Sequence, residues 1–138
     1  MEVLERLIAP ESEGVVIGAI IQHGANAYDK VSSIVRASDF AETVNGVMFS
    51  VLQKRILDGL PSDIFALIDY FNQNTAIPCD LAYITELSQN YVPLSSIKWH
   101  AEQVSEKARE RKARDILSDG IKCMDESEKT LQQRIGGV

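Results

Sequence analysis

The sequence predicts an all-α fold: a compact head of about five to six helices, followed by a long helix that begins a projecting helical hairpin. Three observations predict it. Apolar residues recur at three- and four-residue spacing almost throughout, and strand-like alternation is hard to find. Glycine and proline punctuate the ends of the periodic segments. The 138 residues are 45% hydrophobic and 25% charged, the composition of an ordinary soluble domain with one modest core. The expected organisation is an N-terminal tail over 1–10, a helical head over 11–96, and an arm over 97–138 holding the long helix and the start of the hairpin.

The first helix is expected over about Glu11 to His23, with Val16, Ile17, Ile20 and Ile21 inward and Glu11 and Glu13 in the first turn, where the helix dipole favours carboxylates. A short second helix follows Asn26 as N-cap and buries Tyr28, Val31, Ile34 and Val35. Ser38-Asp39-Phe40 reads as a turn that tucks an aromatic ring into the core. The third helix carries Val44, Val47, Met48, Val51 and Leu52, and Gly59 stops it, because glycine alone enters the left-handed conformation without penalty. Ser62 or Asp63 caps a fourth helix with Ile64, Leu67, Ile68 and Phe71, and Asn72-Gln73-Asn74 ends it. Asp80 caps a fifth with Leu81, Ile84 and Leu87. Ser95 or Ser96 starts the long helix, with Ile97, Ala101, Val104 and Ala108 inward. A turn is expected at Asp125–Ser127, with a returning helix over Leu131–Ile135.

Composition excludes several classes. The net charge of −6 argues against a phosphate-gripping surface, so little direct DNA binding is expected. Cys79 and Cys123 stand far apart, which suits a reducing compartment. The apolar run from Val15 to Ile21 is far too short for a bilayer span, and Glu2 and Glu5 stand where a secretion signal would be basic. A cytoplasmic protein with no membrane association is expected.

Catalytic signatures are missing. No Gly-Lys pair exists, so there is no phosphate loop of the Gly-x4-Gly-Lys-Ser/Thr kind. Gly14 and Gly18 sit inside an apolar helix and read as close helix packing. His23 and His100 lack ligand-like partners at helical spacing, so no metal site is expected. No Gly-x-Ser-x-Gly elbow is present. Lys107, Arg109, Arg111, Lys112 and Arg114 form the one basic patch, partly offset by Glu106 and Glu110; it reads as a solvated face or as a polar docking surface for protein. Tyr83 and Trp99 fall on helices whose inward faces are already filled, so each is either an exposed interface anchor or partly buried.

The order of motifs goes further. Glu11-Ser12-Glu13 precedes Val16-Ile17-Gly18-Ala19-Ile20, and Tyr28-Asp29-Lys30-Val31 follows. Asp39-Phe40, Met48-Phe49, Gly59-Leu60-Pro61-Ser62-Asp63 and Ala82-Tyr83-Ile84-Thr85-Glu86-Leu87 come next, with Asn90 after them. Ala101-Glu102-Gln103-Val104 and Glu106-Lys107-Ala108 open the arm. In this order and spacing, about residues 11 to 112 resemble the N-terminal domain of bacterial and phage DnaB-type replicative helicases. Two departures stand out: Asn45 holds a position where that family usually has histidine, and Cys79-Asp80-Leu81 replaces its usual Gly-Gly.

The resemblance implies a non-catalytic domain that self-associates through head and arm, as dimers and as a trimer-of-dimers collar in a hexamer, and that docks a DnaG-type primase and a helicase loader. It implies that Tyr83 is a protein-binding residue. It places ATP and Mg2+ in a C-terminal motor domain, with no catalytic residue, cofactor or metal in this chain. The ending at Gly136-Gly137-Val138, just after a return helix would begin, is then expected of a piece of a longer helicase. The alternative is a free-standing mimic of the collar that regulates or loads a helicase; a small enzyme of unrecognised chemistry is the third reading.

Overall fold

The computed structural model describes the backbone of residues 9–136 and the side chains of residues 9–128, in both cases without Pro78. Most of the expected tail over 1–10, together with Gly137 and Val138, lies outside the described residues. Among the described residues there are six α-helices and no strand: α1 (Pro10–His23), α2 (Ala25–Val31), α3 (Thr43–Leu57), α4 (Ile64–Gln73), α5 (Leu81–Gln89) and α6 (Leu94–Gly136), with a 3-10 turn at Ala37–Asp39. The chain divides into two compact units, the first ending at Ala108 and the second beginning at Arg109.

In the first unit α1 is the central element, packing against α2, α3 and α5. Pro10 takes its first turn, where the missing N–H costs nothing, and Val16, Ile17, Ala19 and Ile20 are wholly buried. Gly18 permits a close crossing of α5: a Cβ there would stand 2.7 Å from the Leu87 carbonyl oxygen. A Cβ on Gly14 would meet the Leu87 side chain at 3.2 Å, so the close-packing reading of both glycines holds.

The short second helix departs from expectation at its start. Asn26 lies inside α2 and does not cap it. Gly24, at φ 64°, turns the chain so sharply that α2 begins at once, and the Gly24 carbonyl accepts from the Ala27 and Tyr28 amides. Phe40 does tuck into the core from the 3-10 turn, its ring 5.2 Å from that of Phe49, which in turn lies 6.2 Å from Tyr28.

Helix α3 ends as its glycine predicts, with Gly59 at φ 73°. Of the two candidate caps for α4, Asp63 is the one used, accepting from the Ala66 amide at 2.9 Å. Asp80 accepts from the Ala82 amide at 2.9 Å at the start of α5.

Helix α6 begins at Leu94, just ahead of the expected serines, and Ile97, Ala101 and Val104 complete the core of the first unit. The expected turn at Asp125–Ser127 is absent: the helix continues unbroken to Gly136, through Leu131–Ile135. Asp, Glu and Ser suggested that turn, yet no proline or left-handed residue interrupts the segment, and its charged residues are tolerated on a solvated helix. Ile116, Leu117, Ile121 and Met124, in the second unit, are 61–73% exposed.

Candidate functional site

The helices of the first unit bring three separated polar residues into one hydrogen-bonded chain. Glu13 is 1% exposed, on the buried face of α1. A carboxylate in that setting must be paired, because burying an unpaired charge is costly. Its Oε2 accepts from the Ala41 amide at 2.7 Å, and its Oε1 accepts from the Glu42 amide at 3.2 Å and from Asn45 Nδ2 at 3.1 Å. Helix α3 has no side-chain cap of its own. Glu13 supplies one from α1, placing negative charge at the positive end of the α3 dipole.

Asn45, also 1% exposed, extends the chain. Because a carboxylate only accepts, the Asn45 NH2 group faces Glu13 and its Oδ1 is left for another donor. That donor is Tyr83, whose hydroxyl lies 2.7 Å from Oδ1. Burial raises the phenol above its ordinary value of 10.0, helped by the carboxylates of Glu13, Glu42 and Glu86, so the hydroxyl keeps its proton and donates. Among the described residues, no buried side-chain polar atom lacks a partner.

Of the two readings of its position, the structure shows the partial burial of Tyr83. Its hydroxyl is anchored inward, while its half-buried ring stands at the boundary between two depressions. The larger, about 1200 Å³ and open, lies among the starts of α1, α3 and α5, with Pro10, Val44, Val47 and Cys79 on its walls. The smaller, about 390 Å³, lies between α1 and the end of α5, bounded by Leu87, Tyr91 and Val92. Trp99 lines neither and is 57% exposed on α6.

Side chains from α1 hold the far wall. Gln22 Nε2 donates to the carbonyls of Leu87 (3.1 Å) and Asn90 (2.6 Å), and Gln22 Oε1 accepts from the Val92 amide at 3.0 Å. His23 Nε2 donates to the Val92 carbonyl at 2.7 Å, and its ring and that of Tyr91 form a T-shaped pair at 5.9 Å. These contacts give donors to the Leu87 and Asn90 carbonyls at the end of α5 and tie the 90–92 segment to α1. His100 Nδ1 lies 2.9 Å from Ser12 Oγ. Both histidines therefore serve as contacts between segments.

Cys79 is half-buried and its thiol is raised above 9.0 by burial and then by Asp80, which makes it a poor nucleophile. Among the described residues no group of three or more His, Cys, Asp and Glu is placed to hold a metal ion, and no helix is long and apolar enough to cross a membrane. What this site offers chemically is a shaped, acidic surface.

Sequence reasoning singled out Tyr83 but missed the cap made by Glu13 and the bridge made by Asn45. The signal was present: Glu13 is in register with Val16, Ile17 and Ile20, and Asn45 with Met48, Phe49 and Leu52. A polar residue in phase with a buried stripe has to find a partner there.

Comparison with known proteins agrees with this architecture. The sequence profile of the DnaB-like helicase N terminal domain family matches residues 6–106. The replicative DNA helicase DnaB of Pasteurella multocida (strain Pm70) is 30% identical over 121 residues, which cover 83% of this chain and 25% of that protein. The chain therefore spans about a quarter of the length of this relative. The crystal structure of the N-terminal domain of DnaB helicase from Mycobacterium tuberculosis superposes with a TM-score of 0.78, covering 95% of this chain and 98% of that one at 17% identity, a likeness of fold.

Proposed function

The chain belongs to the family of DnaB-like helicase N-terminal domains, and we propose that it serves a replicative helicase as its self-association and primase-docking domain. The observation that carries the docking role is the placement of Tyr83, the residue the resemblance implicates, with its ring between two depressions and its hydroxyl tied into the core. A docking side chain held in one geometry loses less conformational entropy on binding than a free one.

Self-association is supported by the second unit. Ile116, Leu117, Ile121 and Met124 recur at helical spacing and are largely exposed. Apolar side chains grouped in this way on a water-soluble helix mark a surface that another helix covers. On this reading the partner is a second copy of the chain. ATP and Mg2+ chemistry, and most DNA contact, are assigned to the parts of such a helicase beyond the quarter this chain matches.

The experiment is co-elution and calorimetry of the chain with a DnaG-type primase from the same source, alongside light scattering of the chain alone. Saturable binding to primase and a concentration-dependent rise in mass are expected. A strictly monomeric chain that leaves primase unbound would contradict the proposal.

A further inference from the structure

The chemistry of the two depressions defines what they recognise. They share Pro10, Glu11 and Tyr83, so they adjoin along one edge. Glu11, Glu42 and Asp80 border the larger, and Glu11 and Glu86 the smaller; among the described residues that line either, none is lysine or arginine. All four carboxylates belong to exposed residues. Between them the walls are apolar and aromatic: Val44, Val47 and Leu87, with Tyr83 and the 74% exposed Tyr91 both lining the smaller depression.

We propose that these depressions form one acidic, aromatic-walled cleft that takes a protein segment carrying basic side chains interspersed with apolar ones. The smaller depression, within the roughly 300–1,000 Å³ range of ligand-sized clefts, accepts a long basic side chain against the tyrosine rings that line it, with Glu11 and Glu86 also among its lining. There a guanidinium or ammonium gains from the ring faces and the carboxylates together. The apolar floor of the larger depression receives the neighbouring aliphatic side chains. Nucleic acid is the wrong partner, since its phosphates would meet four carboxylates.

The inference rests on the docking role proposed above and gives that partner its chemistry. The hydroxyl of Tyr83 is engaged with Asn45, which leaves the ring as the part offered to a ligand. Tyr91 makes a T-shaped contact with the ring of His23 at 5.9 Å.

The test uses two short amphipathic peptides of one pattern, one of leucine and arginine, the other of leucine and glutamate, titrated into the isotopically labelled chain. The arginine peptide is expected to shift amide signals around Tyr83, Tyr91 and Val44, and the glutamate peptide to leave them in place. Combining Glu11→Gln, Glu42→Gln and Glu86→Gln should weaken the arginine peptide by roughly tenfold or more. Removing the same number of charges elsewhere, by Asp115→Asn, Asp119→Asn and Glu128→Gln, should leave its affinity unchanged. Equal binding of both peptides, shifts centred on the second unit, or equal loss in the two triple variants would overturn the proposal. If the peptide maps to the cleft but primase does not bind, the cleft chemistry stands and the primase role falls. If primase binds the cleft variant as well as the native chain, the cleft chemistry falls and the primase role stands.

Discussion

The Tyr83 hydroxyl donates to Asn45 Oδ1 at 2.7 Å, and the Asn45 amide donates in turn to Glu13 at 3.1 Å. The residue offered to solvent is thereby tied through two hydrogen bonds to the carboxylate that caps α3. Surface and core are coupled at this point, and the coupling makes separable predictions.

Glu13→Ala should be among the most damaging single changes in the chain. It strands two backbone amides and the Asn45 NH2 group, and each buried donor left without an acceptor costs about 1–3 kcal/mol. A loss of at least about 3 kcal/mol is expected in urea unfolding, with Glu13→Gln milder because one carbonyl oxygen remains. A loss below about 1 kcal/mol would show that water replaces the cap.

Glycine substitutions should separate by location. Gly18→Ala places a Cβ 2.7 Å from the Leu87 carbonyl oxygen, which is backbone and cannot swing aside. It should destabilise by about 1–3 kcal/mol, and Gly14→Ala by less, because the Leu87 side chain can yield. Gly120→Ala meets nothing within 4 Å and should stabilise its helix by about 0.5–1 kcal/mol. Thermal melts of the three variants give the order directly.

The partial burial of His100 should make stability depend on pH. Burial lowers the His100 ring below its ordinary 6.5, against the opposing charge of Glu11. The folded chain then binds this proton less readily than the unfolded chain. The contribution is fully present above the unfolded value and is lost as pH falls through it toward the lower folded value. Urea midpoints should therefore fall as pH drops from about 7.5 to about 5.5, and less steeply in His100→Gln. Identical slopes would remove His100 from the account.

Leu117→Glu combined with Ile121→Glu should reduce self-association while leaving the first unit folded, because both residues are more than 60% exposed in the second unit. Sedimentation equilibrium should show the dissociation constant rising by roughly tenfold or more, since a charge placed on each copy of a covered apolar face is left desolvated. An unchanged constant would mean that the copies meet elsewhere.

Much of the fold was legible in the sequence because its helices are bounded by residues with one strong local role. Gly59, Asp63 and Asp80 act in the structure as their chemistry predicts. Asn26 did not, because Gly24 turned the chain two residues earlier, and a favourable cap residue is of no use inside a helix already begun. The turn at Asp125–Ser127 does not form for a related reason: polar composition alone does not end a helix that no proline or left-handed residue interrupts. At the site, Tyr83 stood out through its motif. Asn45 and Glu13 are joined to it by contacts 38 and 32 residues apart in sequence, which periodicity along one helix cannot reveal.

The central claim is that the ring of Tyr83 is a docking surface for primase, and two substitutions test it together. Tyr83→Phe removes the hydroxyl, leaving Asn45 Oδ1 without its donor and the ring in place; Tyr83→Ala removes both. Calorimetric titration of a DnaG-type primase into each variant, with circular dichroism to confirm folding, should show near-native affinity for Tyr83→Phe and a loss of roughly tenfold or more for Tyr83→Ala. A folded Tyr83→Ala chain that binds primase as tightly as the native protein would contradict the account.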